Sequence, residues 1–309
     1  MTKIKKLTSV VLAAAMCLSL TVPAMAAEGT QPQPSMTPIT STNEYDLIQE
    51  LQQTSDTVLL ESGYTASDIE ELRALDFEQE CLDIAKLPEE DLQARGYDKD
   101  TIVLIKEYEN AEEMPENVMR AIAGTLTADI TCSVHTLTQF TFQYGWEWDH
   151  QPINEFKDSV GLSWEVYNTS VGNIDYDCSD QKMVVDYYLG VTYRYSQTTK
   201  DFDVLSSNHF LSGKFPMLAL DNSVWAKSGY ITTTVKKRTN ALAHNLSYVQ
   251  ASAAYGHTLL SITVEPKLDA YNNITFSGVL NTNLQRLEPR KYRLYISGNK
   301  DVISSTEAF

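Results

Sequence analysis

Residues 139–148 read QFTFQYGWEW, and this stretch decides the fold class. Every second residue is aromatic, from Phe140 to Trp148, and the residues between them are polar or glycine. Side chains of a β-strand point alternately to opposite faces, so one face of this strand is aromatic and the other is polar. The stretch predicts a half-buried strand, and the alternation favours an aromatic row that faces a protein core.

The same alternation recurs further along the chain. From Met183 to Tyr195 every second residue is apolar or aromatic. Thr, Val and Tyr are abundant after residue 125. Further strand candidates, separated by Asn, Gly and Asp, are residues 158–166, 224–236, 248–264 and 291–297. Strands joined by turns without intervening helices predict an antiparallel β-sandwich over residues 125–309.

Residues 44–124 have a helical pattern instead. Leu59-x-x-x-Gly63-Tyr64-Thr65 and Leu92-x-x-x-Gly96-Tyr97-Asp98 repeat one arrangement after 33 residues, and Thr65-x-x-Asp68 resembles a capping box. Two copies are too few for a solenoid, so they indicate two helical hairpins. The predicted fold class is α+β: a small N-terminal helical bundle followed by an antiparallel β-sandwich.

The first 26 residues have the pattern of a secretory signal peptide. Lysines at 3, 5 and 6 precede an apolar stretch over residues 7–22, and Ala24-Met25-Ala26 supplies the small residues of a cleavage site. Residues 27–43 are rich in Pro, Thr, Ser and Gln, which predicts a flexible leader. No later stretch is apolar enough to span a membrane. We therefore expect a secreted or cell-envelope-associated protein without a stable membrane span.

The acidic charge is concentrated in the predicted helical region. The chain has a formal net charge of −17, and residues 27–124 hold 23 acidic and 6 basic residues. Residues 125–309 are nearly neutral, with 18 acidic and 15 basic residues. A chain of this charge does not present the basic surface that nucleic acids require, so no nucleic-acid partner is expected.

The aromatic strand ends at a candidate binding site. Trp146 and Trp148 lie beside the predicted turn that contains Asp149 and His150. If these two rings are exposed, they form a platform for stacking against sugar rings, with Asp149 and His150 as polar neighbours. The competing interpretation is that both tryptophans belong to the core-facing row.

Two further sets of residues have the chemistry of a metal site or a disulfide. Asp175, Asp177 and Asp180 lie in a loop-like stretch and could bind calcium weakly, although the EF-hand pattern is absent and no other cofactor is indicated. Cys132 and Cys178 both fall in the β region, so a disulfide between them is compatible with an exported chain. Cys81 shares a helical face with apolar residues, which predicts a buried thiol.

No complete catalytic motif occurs. The five histidines lack metal-site spacing, and the sequence contains no complete G-x-S-x-G, S-x-x-K set or Walker motif. A triad of residues distant in sequence stays open, and His257 with Asp149 or Glu265 is one such pairing.

The lysine-rich signal, the Pro/Thr-rich leader, the Gly-Tyr helical repeats and the Thr/Tyr-rich strands together resemble uncharacterised exported proteins of Gram-positive bacteria. The motif Tyr144-Gly145-Trp146-x-Trp148-Asp149 is distinctive but points to no family of known activity. The resemblance implies export and assigns no catalytic residue.

The leading functional hypothesis is a non-enzymatic binding protein that recognises a cell-wall or host glycan or a surface protein. Its motivation is the absence of complete catalytic motifs in a chain with aromatic and Thr/Tyr-rich strands. The alternatives are a secreted hydrolase with its site in the β region and a β pore-forming protein, whose strands would have the length of the aromatic row.

Overall fold

The computed structural model describes residues 40–61, 64–136, 139–168, 172–173, 176–207, 209–220, 222–238, 248–259, 265–268, 274–277, 291–296 and 302–307. All of them belong to one compact unit, Pro34–Phe309. The predicted signal peptide and the predicted leader up to residue 39 lie outside the described residues.

The helices are short and lie between residues 44 and 122. They are α1 (Glu44–Gln53), α2 (Asp56–Glu61), α3 (Ala66–Ala74), α4 (Phe77–Ala85), α5 (Glu89–Ala94), α6 (Lys99–Lys106) and α7 (Glu116–Ile122), and a 3₁₀ turn follows later at Thr199–Asp201.

Local capping explains where several helices begin. Thr65 and Asp68 form the capping box that the sequence predicts at the start of α3. Asp98 accepts a hydrogen bond from the Thr101 N–H and caps α6. Gly96 has φ +92°, the left-handed conformation predicted for the end of the preceding helix.

The strands occupy most of the remaining described chain. They are β1 (Thr40–Asn43), β2 (Thr125–Thr136), β3 (Gln139–Trp148), β4 (Lys157–Asn168), β5 (Gly172–Asn173), β6 (Tyr176–Leu189), β7 (Thr192–Thr198), β8 (Asp203–Ser206), β9 (Phe210–Pro216), β10 (Leu218–Ala219), β11 (Val224–Lys237), β12 (Tyr248–Gly256), β13 (Glu265–Leu268), β14 (Ile274–Ser277), β15 (Lys291–Ile296) and β16 (Val302–Glu307).

Two antiparallel sheets of seven strands contain most of these strands. The first sheet has the order β1-β2-β3-β11-β6-β7, with β10 beside β11. The second has the order β16-β15-β12-β4-β9-β8, with β5 beside β4, and β13 and β14 form a separate pair. Every strand pair among the described residues is antiparallel.

An aromatic core joins the inner faces of the two sheets. Burial alternates along the whole of β3, which confirms the core-facing aromatic row. Trp146 of β3 stacks on Phe215 of β9, with ring centroids 5.5 Å apart, and also contacts Tyr255 of β12. Because large aromatic side chains bury much apolar surface, this row contributes strongly to the free energy of folding.

The helical segment leaves and rejoins the first sheet at a single point. β1 precedes α1 and pairs with β2, which follows α7, so that Asn43 lies opposite Thr125. The backbone N–H of Glu44 donates to the carbonyl of Gly124 at 2.9 Å. Residues 44–124 therefore form a helical insertion between the neighbouring strands β1 and β2.

The prediction of a small N-terminal helical bundle followed by a β-sandwich is wrong. The structure is mostly antiparallel β-sheet with scattered short helices of 6–10 residues. Their apolar side chains share one cluster with Phe210, Ala254 and Leu259 of the β region. A helical period shows that one face is buried but not what covers it, and here the β region supplies part of that cover.

Among the described residues, no helix combines the length and the apolar character needed to cross a membrane.

Candidate functional site

The two tryptophans of the predicted binding site are buried. Trp146 is 4% exposed and Trp148 is 2% exposed, because both lie on the face of β3 that meets the second sheet. The indole Nε1 of Trp148 donates to the Tyr255 hydroxyl at 3.1 Å. Neither ring is placed to stack on a ligand, and their burial agrees with the interpretation that both tryptophans belong to the core-facing row.

Asp149 and His150 connect the end of β3 to the end of the helical segment. Asp149 accepts hydrogen bonds from the backbone N–H groups of Thr125 and His150. His150 is 8% exposed, its Nε2 lies 3.0 Å from the Ile122 carbonyl, and its ring contacts Tyr97. Burial raises the pKa of Asp149, but hydrogen bonds and the nearby His150 outweigh burial and hold this pKa below its usual range. This pair has a structural role here.

The predicted calcium ligands are only partly described. Asp175 lies outside the described residues. Asp177 is exposed and forms an ion pair with Arg238, with 2.6 Å between Oδ1 and Nε, and Asp180 has a left-handed backbone with φ 54°. No group of three or more potential ligands that could hold a metal ion occurs within the described parts of the chain. Calcium binding stays a prediction.

Cys132 and Cys178 are free thiols. Cys132 lies on β2 and Cys178 on β6, and β3 and β11 run between them. Three strand spacings of roughly 4.8 Å place the two backbones about 14 Å apart, whereas disulfide-bonded Cα atoms lie within about 7 Å. The sheet order therefore excludes a bond between them. Cys81 is buried, as predicted, and burial raises the pKa of its thiol.

A charged network that the sequence did not predict lies in the interior. We call Glu44, Asp158, Tyr255 and His257 the carboxylate–histidine network, and each of the four residues is at most 4% exposed. His257 Nδ1 lies 3.1 Å from both carboxylate oxygens of Asp158, and His257 Nε2 lies 3.2 Å from Glu44 Oε1. Tyr255 donates its hydroxyl proton to Asp158 at 2.6 Å.

Three structural elements meet in this network. Glu44 is the first residue of α1, Asp158 lies in β4, and Tyr255 lies in β12, which His257 directly follows. The Glu44 carboxylate also accepts hydrogen bonds from the backbone N–H groups of Ile153 and Asn154 and from the Asn154 side chain. Buried charges are tolerated when they are paired and hydrogen-bonded in this way.

The two carboxylates hold a proton on His257. Burial lowers the pKa of His257, but Asp158 and Glu44 outweigh burial and raise this pKa to about 10. Burial raises the pKa of Glu44, while His257, Ile153 and Asn154 together bring it below its ordinary value. At neutral pH an imidazolium therefore lies between two carboxylates.

This geometry does not suit His257 as a general base. Both ring nitrogens of the charged His257 are donors, so the ring has no lone pair with which to take a proton from a substrate. The cavity beside Trp148 and His257 has a volume of about 10 Å³, which is roughly the space of one water molecule. The network instead joins α1 to β4 and β12 of the second sheet.

The sequence contains no local signal for this network. Asp158 and His257 are 99 residues apart, and Glu44 and His257 are 213 residues apart. The pairing of His257 that the sequence analysis named used Asp149 or Glu265, whereas the structure gives it Asp158 and Glu44.

An exposed aromatic group lies on the outer face of the first sheet. We call Asp186, Tyr188, Tyr193 and Ser196, on the neighbouring strands β6 and β7, the tyrosine patch. The Tyr188 and Tyr193 rings are 5.7 Å apart in an edge-on arrangement, and Tyr193 is 53% exposed. Ser196 donates to Asp186 and lies 2.9 Å from the Tyr193 hydroxyl. These hydrogen bonds fix the carboxylate beside the rings.

Tyr193 belongs to the alternating row from Met183 to Tyr195, and alternation alone does not show that its ring is exposed. Alternation along β6 and β7 identifies two faces, and only the sheet order shows that β7 is an edge strand. Aromatic residues of the predicted row therefore divide between the core, as for Tyr187, and the surface, as for Tyr193.

Comparisons with known proteins assign no family. No protein-family model and no curated protein matches this chain. A solved structure described as "AvmM Catalyzes Macrocyclization in Alchivemycin A Biosynthesis" is similar over 42% of this chain and 72% of its own, with 9% identity and a TM-score of 0.23. A likeness at that level carries no argument about fold or function.

Proposed function

We propose that this protein is exported and acts as a non-enzymatic binding protein, whose tyrosine patch recognises a cell-wall or host glycan. The export part rests on the signal-peptide pattern of residues 1–26. The recognition part rests on one observation, the Tyr188–Tyr193 pair with Asp186 fixed beside it.

The chemistry of the tyrosine patch suits a neutral sugar. A tyrosine ring offers an apolar face to the C–H groups of a sugar ring, and its hydroxyl both donates and accepts hydrogen bonds. The Asp186 carboxylate keeps acceptor sites for sugar hydroxyl groups, since Ser196 uses only one of its oxygens. The same carboxylate disfavours an anionic polymer, and a surface protein is the second candidate partner.

Binding to purified cell-wall material and to a glycan array tests this proposal. We expect Tyr193→Ala to weaken binding by about tenfold or more, because exposed tyrosines at the centre of a binding surface commonly contribute at that level. Leu205→Ala is the matched control, since Leu205 is 62% exposed but lies on β8 of the other sheet.

Equal binding by the wild type and Tyr193→Ala would remove the tyrosine patch from the proposal. Release of soluble sugar from the wall material by the wild type would contradict its non-enzymatic part.

A further inference from the structure

A cleft separate from the tyrosine patch opens between α4 and the end of β9. It has a volume of about 490 Å³, within the range of small-molecule sites. Glu80 of α4 lines one side. Residues 153–156, between β3 and β4, line another together with Lys157 at the start of β4, Pro216 and Leu218. The cleft therefore has both apolar and charged walls.

The charged residues that line the cleft carry a net charge of −1, since one lysine offsets one of two carboxylates. Glu80, Glu155 and Lys157 are the charged groups that line the cleft. Glu155 already forms an ion pair with Arg95, with 2.8 Å between Oε1 and Nη1. Glu80 has no ion-pair partner among the described residues, so its carboxylate is available to a ligand.

Further acidic groups strengthen the negative potential at Glu80. Burial raises the pKa of Glu80, and the charges of Asp83, Glu44 and Glu155 raise it further, with Arg95 opposing them. A positive charge placed beside Glu80 would relieve this repulsion. The potential at Glu80 therefore favours a cationic group there.

An exposed aromatic ring completes the wall. Phe156 lines the cleft and is 41% exposed, so part of its ring is available to a ligand. A phenyl face attracts a cation within about 6 Å of its centre and also packs against an apolar group. The Asn154 side chain adds a polar group next to the carboxylate–histidine network.

We propose that this cleft binds a small organic cation, a primary ammonium group attached to an aromatic or aliphatic body. The ammonium pairs with Glu80, and the body packs on Phe156 and Leu218. A metal ion is the poorer fit, because the lining includes only two carboxylates, and no set of three potential metal ligands occurs among the described residues. This site is independent of glycan binding by the tyrosine patch.

NMR titration with three probes of one shape tests the charge preference. The probes are 2-phenylethylamine, neutral 2-phenylethanol and anionic 3-phenylpropanoate. We expect the amine to bind with a dissociation constant on the order of 1 mM, as suits a ligand of this size, and the two others to bind at least tenfold more weakly. Amine binding no tighter than alcohol binding, or no binding by any probe, would overturn the proposal.

Two variants of α4 locate the binding site. Glu80→Gln removes the unpaired carboxylate and should weaken amine binding about tenfold. Asp83→Asn is the matched control, because Asp83 lies on the same helix, pairs with Lys86 and does not line the cleft. Both residues are exposed, and equal melting temperatures would show that the variants fold.

Equal loss of amine binding in the two α4 variants would overturn the assignment to Glu80. Glycan binding should be unchanged in both, so this inference and the proposed function can fail separately.

Discussion

Gly229 of β11 is required by the packing of a single side chain. It lies opposite Trp146 in the ladder between β11 and β3. A Cβ atom at Gly229 would collide with the Trp146 indole and with the Val184 carbonyl oxygen. Gly145 of β3 is different, because the nearest atom to its added Cβ is the Gly229 carbonyl oxygen at 3.8 Å, an ordinary contact. Of these two glycines in adjacent strands, Gly229 cannot be replaced without a steric clash, whereas Gly145 has room for a Cβ atom.

Gly229→Ala should therefore lower the free energy of unfolding by about 1–3 kcal/mol, the usual cost of forcing an extra methyl group into a packed interior. Gly145→Ala should change it by less than about 1 kcal/mol, since the added methyl group makes only an ordinary contact there. Urea denaturation of the two variants measures both values. If the two variants lose the same free energy of unfolding, the Trp146 indole moves aside in Gly229→Ala without a free-energy cost.

The helices depend for their stability on capping hydrogen bonds at their ends, because each helix is too short to be stable alone. α3 has nine residues, and Thr65 and Asp68 satisfy backbone donors reciprocally at its start. Asp68 accepts from the Thr65 N–H at 2.6 Å, and the Asp68 N–H donates to Thr65 Oγ1. Packing of Ile69 and Leu72 then holds the helix in the shared apolar cluster.

Removal of the cap by Thr65→Ala should lower the free energy of unfolding by about 1 kcal/mol. The same substitution at Thr57, an exposed residue inside α2, should be neutral or slightly stabilising, because alanine has the higher helix propensity. Thermal unfolding of both variants gives the comparison, and a loss at Thr57 as large as the loss at Thr65 would contradict the capping role.

Elements with local causes could be predicted from the sequence. The Thr65–Asp68 cap, the left-handed Gly96 and the buried face of β3 each follow from residues within a few positions of one another. The sequence could not reveal that α1 to α7 share their apolar cluster with Phe210 and Leu259, because a periodic stripe does not identify its partner.

On the scale of the whole molecule, the carboxylate–histidine network links the start of the helical segment to β4 and β12 of the second sheet. No pattern in the sequence connects Glu44, Asp158 and His257, since each pair depends on how distant strands are ordered. The tyrosine patch and the cleft have the same origin, as both are assembled from residues of separate elements. The fold and the candidate sites could therefore be predicted only where a feature depends on residues that are close together in the sequence.

The network predicts how stability depends on pH. Because the pKa of His257 rises from 6.5 to about 10 on folding, its contribution is complete below pH 6.5 and is lost as pH rises through about 10. Because folding lowers the pKa of Glu44 from 4.5, its contribution is complete above pH 4.5 and is lost in acid. These two groups place maximal stability between about pH 4.5 and 6.5.

Melting temperatures measured from pH 5 to pH 10 should fall above pH 6.5 in the wild type. His257→Gln should melt at a lower temperature throughout and should lose most of this slope, because glutamine does not titrate. A slope that is unchanged in His257→Gln would assign the alkaline loss to other groups.

The helical segment begins after Asn43 and ends before Thr125, and these two residues lie opposite each other in the first sheet. This junction determines where the chain can gain or lose residues. The pairing of β1 with β2 is set at that junction, so residues added between helices do not shift the strand register. The entropy of closing a loop grows only by about 0.6 kcal/mol for each doubling of its length. Insertions and deletions between the helices should therefore be tolerated far better than the insertion or deletion of one residue at either end of the helical segment.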